Sequence, residues 1–247
     1  MVKSKFYGFL AIGFLVLLSA FTFQKRQTTL YIIGDSTAAN KAADKFPETG
    51  WGMELQSFFK DEVKVDNRAL NGRSTKSFRA EKRWQPILEN LKAGDYVFIE
   101  FGHNDEKIDK PSVGVSLVDF KINLINYVNE TRSKKAIPVL LTPISRRSFK
   151  NGVLVDSHGG YPGVTRQVAD SLHVPLIDML IKTENLLKNL GDQASVKLFL
   201  HVDSGHVNYP QGKKDDTHLS PDGAKEIAGL VVQGIKEKKL GLAKKLK

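Results

Sequence analysis

The stretch Leu30-Tyr31-Ile32-Ile33-Gly34-Asp35-Ser36-Thr37 decides the fold. Four apolar residues run without a polar interruption and stop at a glycine. A run this short and this uniformly apolar reads as a strand buried on both faces. Gly34 closes it in a tight turn. Ser36 stands just past the strand, where a hydroxyl can point up from the sheet edge and attack an electrophile if a base takes its proton. Asp35 or Ser36 could equally cap a following helix.

The same unit recurs along the chain. Gly52 to Phe59 reads as a helix with Trp51, Leu55, Phe58 and Phe59 on its apolar side. Val63 to Val65 is a second strand. Tyr96 to Ile99 is a third, entered through the turn Ala93-Gly94-Asp95. Leu117, Ile122, Leu124, Ile125 and Val128 mark a helix before a fourth strand, Ile137 to Leu141. A helix near Val164 to Leu172 precedes a fifth strand, Val174 to Ile177. Ala224, Ile227, Ala228, Val231 and Ile235 face a last helix inward. Apolar strands alternating with helices predict an α/β chain whose parallel sheet is covered on both faces. Function in such sheets gathers beyond the C-terminal ends of the strands.

Three strand ends and one late loop carry polar, chemically competent residues. Asn71-Gly72-Arg73-Ser74 follows the second strand, and its glycine lets the backbone present an N–H closely to a ligand. Gly102-His103-Asn104-Asp105 follows the third, and an asparagine amide there can donate to a developing oxyanion. Asp215-Asp216-Thr217-His218 lies in the late loop. A carboxylate three residues before a histidine can reach its Nδ1 and leave Nε2 free as a base. Asp216 competes with Asp215 for that task on chemistry alone. Ser220-Pro221 then opens the last helix, with proline at its first position. Each motif alone also reads as a turn or a cap. Together they supply a nucleophile, donors, a base and an orienter, the set that acyl transfer needs.

The whole chain has 247 residues and no cysteine, which excludes disulfides and thiolate metal sites. Residues 6 to 23 carry no charge and follow Lys3 and Lys5, which reads as a signal peptide or N-terminal anchor over residues 1–23. The run falls slightly short of the roughly 20 residues that span a bilayer, and Leu18 makes a poor cleavage signal before Ala20. The expected location is therefore secreted or periplasmic. Residues 24–247 suit one domain. The formal charge is +10, and half the excess sits at residues 236 to 247, where six lysines face one Glu237. A Lys-rich C-terminal tail reads as a solvated helix end, or as an aid in capturing a polyanion. No nucleic-acid motif, Gly-x-Gly-x-x-Gly, P-loop or Gly-x-Ser-x-Gly elbow is present. His201, Asp203 and His206 read as a substrate-lining or structural loop rather than metal ligands. Trp51 and Trp84 read as packing aromatics.

Gly34-Asp35-Ser36, Gly72, Gly102-x-Asn104-Asp105 and Asp215-x-x-His218 resemble the four blocks of the SGNH (GDSL-like) hydrolase superfamily, from Thr29 to the final helix. Longer stretches resemble rhamnogalacturonan acetylesterases. They are Gly34-Asp35-Ser36-Thr37, Asn71-Gly72-Arg73-Ser74-Thr75-Lys76-Ser77-Phe78, Phe101-Gly102-His103-Asn104-Asp105, Thr142-Pro143-Ile144-Ser145-Arg146-Arg147 and Asp216-Thr217-His218-Leu219. The resemblance implies a three-layer α/β/α sandwich with a five-stranded parallel sheet, flavodoxin-like. It implies that Ser36 is the nucleophile, that His218 is base and then acid, and that Asp215, at the family spacing, orients His218. The Ser36 and Gly72 N–H groups with the Asn104 amide would form the oxyanion hole. No cofactor and no metal is implied. The expected substrate is an acetylated, acidic polysaccharide or oligosaccharide, with Arg73 and Arg146 as candidate readers of its carboxylates. Another acetylated polysaccharide, a lipid ester, or non-catalytic polysaccharide binding are the rival readings. The expected partners exclude nucleic acid, limit membrane contact to an uncleaved N-terminus, and leave the chain a monomer.

Overall fold

The computed structural model describes residues 26–247. The signal or anchor segment read at residues 1–23 lies outside the described residues. Strand β1 (Thr28–Gly34) leads through a loop to the short helix α1 (Trp51–Glu54), which tightens into a 3₁₀ turn at Leu55–Phe58. The single helix expected over Gly52 to Phe59 is thus two pieces. Beside the tightened turn, Gln56 accepts from Val65 N and donates to Val63 O, tying it to β2 (Val63–Asn67). Helices α2 (Thr75–Ala80) and α3 (Trp84–Asn90) follow, then β3 (Tyr96–Glu100), α4 (Leu117–Ser133) and β4 (Ile137–Leu141). A small hairpin, β5 (Phe149–Lys150) and β6 (Val153–Leu154), precedes α5 (Tyr161–Ser171). Strand β7 is only Leu176–Ile177, shorter than the expected Val174 to Ile177. Pro175 has no N–H to give the ladder, although its carbonyl still accepts from Leu140 N. Helix α6 (Met179–Ser195) follows, then a second hairpin, β8 (Phe199–Val202) and β9 (Lys213–Leu219), and finally α7 (Pro221–Glu237).

The main sheet has the order β2-β1-β3-β4-β7, all pairs parallel. Side chains alternate across it. Leu30, Ile32, Tyr96, Phe98, Val139 and Leu141 face a core closed by α1, its 3₁₀ turn and α7 through Trp51, Leu55, Ile227, Ala228, Val231 and Ile235. Tyr31, Ile33, Val97, Ile99 and Leu140 face a second core, closed by Phe78, Trp84, Phe120, Tyr127 and Val168 from α2 to α5. The three-layer α/β/α expectation describes the molecule. Both tryptophans are packed inside.

Two expectations are corrected. Helix α4 turns inward Phe120, Leu124, Tyr127 and Val128, while Leu117 and Ile122 are exposed, so its apolar face is offset from the one read in sequence. The Lys-rich C-terminus is not a loose tail. Leu240, Leu242 and Leu246 are buried in the first core, and Leu246 bridges to Phe59. The lysine stems lie between buried leucines, with Lys244 and Lys247 exposed to water and Lys245 Nζ donating to Thr28 Oγ1. Among the described residues no helix is long and apolar enough to cross a membrane.

Candidate active site

The strand order turns back between β1 and β3, which opens a crevice at the C-terminal edge of the sheet. Ser36 follows β1, Gly72 follows β2 and Asn104 follows β3, so all three meet at that crevice. No helix begins at Ser36. Asp35 instead shapes a turn: its Oδ1 accepts from Thr37 N at 3.0 Å and Thr37 Oγ1 at 2.9 Å. Gly34 is required where it stands, because a Cβ there would lie 2.6 Å from Glu100 O.

His218 comes from the opposite end of the chain, on an antiparallel strand rather than the expected loop. The β8–β9 register runs Phe199↔Leu219 and then Leu200↔Asp215. One strand advances a single residue while the other advances four, so Asp216, Thr217 and His218 bulge out of the ladder. Asp215 holds the bulge closed. Its Oδ1 accepts from Thr217 N and His218 N, each at 2.9 Å. Its Oδ2 stands 2.9 Å from His218 Nδ1. The carboxylate accepts, so Nδ1 carries the proton and Nε2 is left as an acceptor. Ser36 Oγ lies 2.9 Å from that Nε2 and donates to it.

Asp216, the competing orienter, is engaged elsewhere. It accepts from Arg147 Nη1 at 2.9 Å and from His201 Nε2 at 2.8 Å. Burial works to raise the Asp215 pKa, but the hydrogen bonds and charge of His218 and the Thr217 N–H outweigh it. The carboxyl is held well below the ordinary range. Asp215 is therefore an anion at any working pH.

The oxyanion-hole candidates converge as well. Gly72 sits at φ 77°, a conformation a side chain strains to adopt. Neither Ser36 N nor Gly72 N donates to another group among the described residues. Asn104 Nδ2 donates one proton to Arg73 O at 3.1 Å and has a second N–H left. Its neighbour Asp105 is buried, accepts from Thr75 N at 2.9 Å, and has its carboxyl pushed up to about 7 by desolvation.

Beneath Ser36 lies a polar floor that the sequence did not reveal. Glu100 is fully buried and accepts from Trp51 Nε1 at 3.0 Å and Ile144 N at 3.3 Å, with Thr37 Oγ1 3.3 Å from its carboxyl. Desolvation first, and then the nearby Asp35 charge, push its carboxyl up to about 8. Nothing in Tyr-Val-Phe-Ile-Glu marks the last residue as buried, because a terminal strand glutamate usually reaches water.

The two arginines expected to read carboxylates have partners within the chain. Arg73 pairs with Glu81 at 3.0 Å. Arg146 pairs with Glu106 and donates to Ser157 O at 2.5 Å, packed beside His158. Each guanidinium is held by its glutamate, with the Arg73 side chain still 30% exposed. His206 accepts from Asn208 N, and no group of three or more candidate metal ligands occurs among the described residues. A 680 Å³ cleft between α6 and α7 contains none of the crevice residues.

The GDSL-like Lipase/Acylhydrolase family profile matches residues 32–226. The chain is 39% identical over 220 residues to the rhamnogalacturonan acetylesterase RhgT of Bacillus subtilis, covering 88% of this chain and 93% of that one. It is 35% identical over 214 residues to the probable rhamnogalacturonan acetylesterase YesY of the same organism, covering 86% and 94%. Among solved structures, protein YxiM of Bacillus subtilis superposes with a TM-score of 0.76 at 24% identity, over 87% of this chain and 58% of that one. A catalytic mutant of Axe2, an acetylxylan esterase from Geobacillus stearothermophilus, gives 0.61 at 21% identity, over 85% and 94%.

Proposed function

Because the chain belongs to the GDSL-like lipase/acylhydrolase family and is a serine carboxylic ester hydrolase, we propose that it removes O-acetyl groups from rhamnogalacturonan through Ser36, His218 and Asp215. The observation that carries the mechanism is the unbroken line Ser36 Oγ, His218 Nε2, His218 Nδ1, Asp215 Oδ2, with both gaps at 2.9 Å. The substrate reading is carried by two acetylesterase relatives that span nearly the whole domain.

In this mechanism Ser36 Oγ bonds to the acetyl carbonyl carbon while its proton passes to His218 Nε2. The carbonyl π-bond opens, and its electron pair moves to oxygen. That oxyanion takes hydrogen bonds from Ser36 N, Gly72 N and the Asn104 amide. Asp215 stabilises the imidazolium by charge and by holding Nδ1–H. As the intermediate collapses, the sugar oxygen leaves with the proton from Nε2, and Ser36 carries the acetyl group. Water then attacks the acetyl carbon, giving its proton to His218, which passes it to Ser36 Oγ as the ester bond breaks and acetate leaves.

The test is acetate release from acetylated rhamnogalacturonan, acetylated xylan and a small aryl acetate, comparing wild type with Ser36→Ala. Serine-dependent release that favours rhamnogalacturonan supports both halves of the proposal. Serine-dependent release from xylan or the aryl ester alone keeps the mechanism and discards the pectin substrate. Polymer binding with no acetate release from any ester rejects catalysis. The uncharged run at residues 6 to 23 and the +10 charge favour an exported, monomeric enzyme that meets an acidic polymer.

A further inference from the structure

Two ammonium groups stand behind the oxyanion-hole donors, and neither takes part in the proton relay. Lys41 lies among alanines, in Ala38-Ala39-Asn40-Lys41-Ala42-Ala43, and its side chain is 1% exposed. Its Nζ donates to Ser36 O at 2.5 Å, Asn71 Oδ1 at 2.8 Å and Glu48 Oε1 at 2.6 Å. An ammonium has three protons, so these acceptors use all of them. Two of the three belong to the turns that present Ser36 N and Gly72 N. Lys41 is a bolt between the turn after β1 and the turn after β2.

Lys107 does the corresponding work at Asn104. Its Nζ donates to Asn104 Oδ1 at 2.7 Å, while Asn104 Nδ2 donates to Arg73 O at 3.1 Å. Lysine can only donate and a peptide carbonyl can only accept. The amide therefore has one permitted orientation, with oxygen toward Lys107 and nitrogen toward the Gly72 turn. The cation also polarises the amide, which strengthens its remaining N–H as a donor. Through these bonds the three turns form one connected set: Ser36 to Lys41, Lys41 to Asn71, Arg73 to Asn104, and Asn104 to Lys107.

A buried lysine–carboxylate pair adds little to stability over an apolar replacement, because desolvation offsets the attraction. What Lys41 supplies that a methionine would not is a pair of donated hydrogen bonds that fix acceptors on two different turns. We propose that Lys41 and Lys107 are positioning residues of the oxyanion hole. Lys41 sets the Ser36 and Gly72 turns relative to each other, and Lys107 locks the Asn104 amide in its donating orientation. The inference rests on the acyl-transfer reading above.

The experiment measures kcat and KM on a neutral aryl acetate and on acetylated rhamnogalacturonan, together with the thermal midpoint of each variant. Lys107→Met is made in the wild-type and Asn104→Ala backgrounds. Lys41→Met is combined with Glu48→Gln so that no carboxylate is left buried and unpaired, and is compared with Glu48→Gln alone. Asn71→Ala cuts the same bolt at an exposed residue and covers the case in which the Lys41 variant does not fold. Because a misplacement of about 1 Å can cost 10²-fold, each lysine variant and Asn71→Ala should lower kcat about tenfold or more with KM within about threefold. Lys107→Met should cost nothing further once Asn104 is alanine, and Lys107→Arg should recover part of the rate.

Full kcat in folded Lys107→Met and Asn71→Ala, with Ser36→Ala dead, overturns the lysine proposal and leaves the esterase reading intact. An equal Lys107→Met loss in both Asn104 backgrounds overturns the Asn104 link. A Lys107→Met defect confined to KM on the acidic polymer makes Lys107 a substrate contact instead. A fully active Ser36→Ala overturns the acyl-transfer reading and this proposal with it.

Discussion

Asp215 commits both carboxylate oxygens to the bulge that carries His218: one closes the backbone, the other meets the ring. Losing its negative charge should therefore damage catalysis more than folding. Asp215→Asn is expected to lower kcat on an aryl acetate on the order of 10⁴-fold, because the amide can present its N–H to Nδ1 and favour the wrong tautomer. Asp216→Asn, whose carboxylate bonds Arg147 and His201, should keep kcat within about threefold of wild type, since surface pairs contribute little. The reverse ranking in a steady-state assay would exchange the two aspartates. At this scale the sequence was legible where chemistry is local. Ser36, Gly72, Asn104, Asp215 and His218 each stand in a short motif, and spacing alone allows Asp215 to reach His218. The ion pairs of Arg73 with Glu81 and of Arg146 with Glu106 were not legible, because those partners lie eight and forty residues away. Lys41 was invisible for a related reason. Its acceptors are two carbonyl groups and a glutamate that only the fold brings together.

Elements were legible where their side chains fill a core on both faces. β1, β3, β4 and α7 appear at the positions their apolar runs indicate. β9 was not, because Lys-Lys-Asp-Asp-Thr-His-Leu has no alternation and buries only Leu219. Its strand character comes from pairing with β8 rather than from its own side chains. Helix α6 did carry a signal, with Met179, Leu180, Thr183 and Leu187 buried at helical spacing. Gly191 at φ 76° interrupts it near the end. The C-terminal segment is the element whose role changes most. Composition makes it a cationic tail, whereas Leu242 is fully buried beneath Gly241–Lys245. Leu242→Ala should destabilise the protein by about 2–5 kcal/mol in denaturant unfolding, the cost of a core cavity. A change below about 0.5 kcal/mol would return the segment to the status of a solvated tail.

For the molecule as a whole, the sheet edge gathers catalytic groups above a floor of buried carboxyls, and that floor makes stability depend on pH. Glu100 is neutral in the fold up to about pH 8, whereas in the unfolded chain it ionises near 4.5. The folded state thus holds this proton more tightly. Its stabilising contribution is complete below the unfolded value and is lost as pH rises toward about 8. Glu100→Gln has no proton to lose. Its thermal midpoint relative to wild type should improve steadily between about pH 5 and about pH 8. A difference that stays constant with pH would mean that Glu100 is ionised in the fold. Architecture at this scale followed from five apolar strands and the helices between them. The polar floor did not, because burial of Asp35, Glu100 and Asp105 depends on which loops cover the sheet edge.

The central claim is that Ser36 becomes covalently acylated with His218 as its base. The most direct measurement is mass spectrometry of the Ser36 peptide after rapid acid quench of the enzyme mixed with an aryl acetate. One acetyl group on Ser36, absent in Ser36→Ala and strongly diminished in His218→Ala, is the predicted result. Turnover of the ester with Ser36 never modified at any quench time, and undiminished in Ser36→Ala, would contradict it.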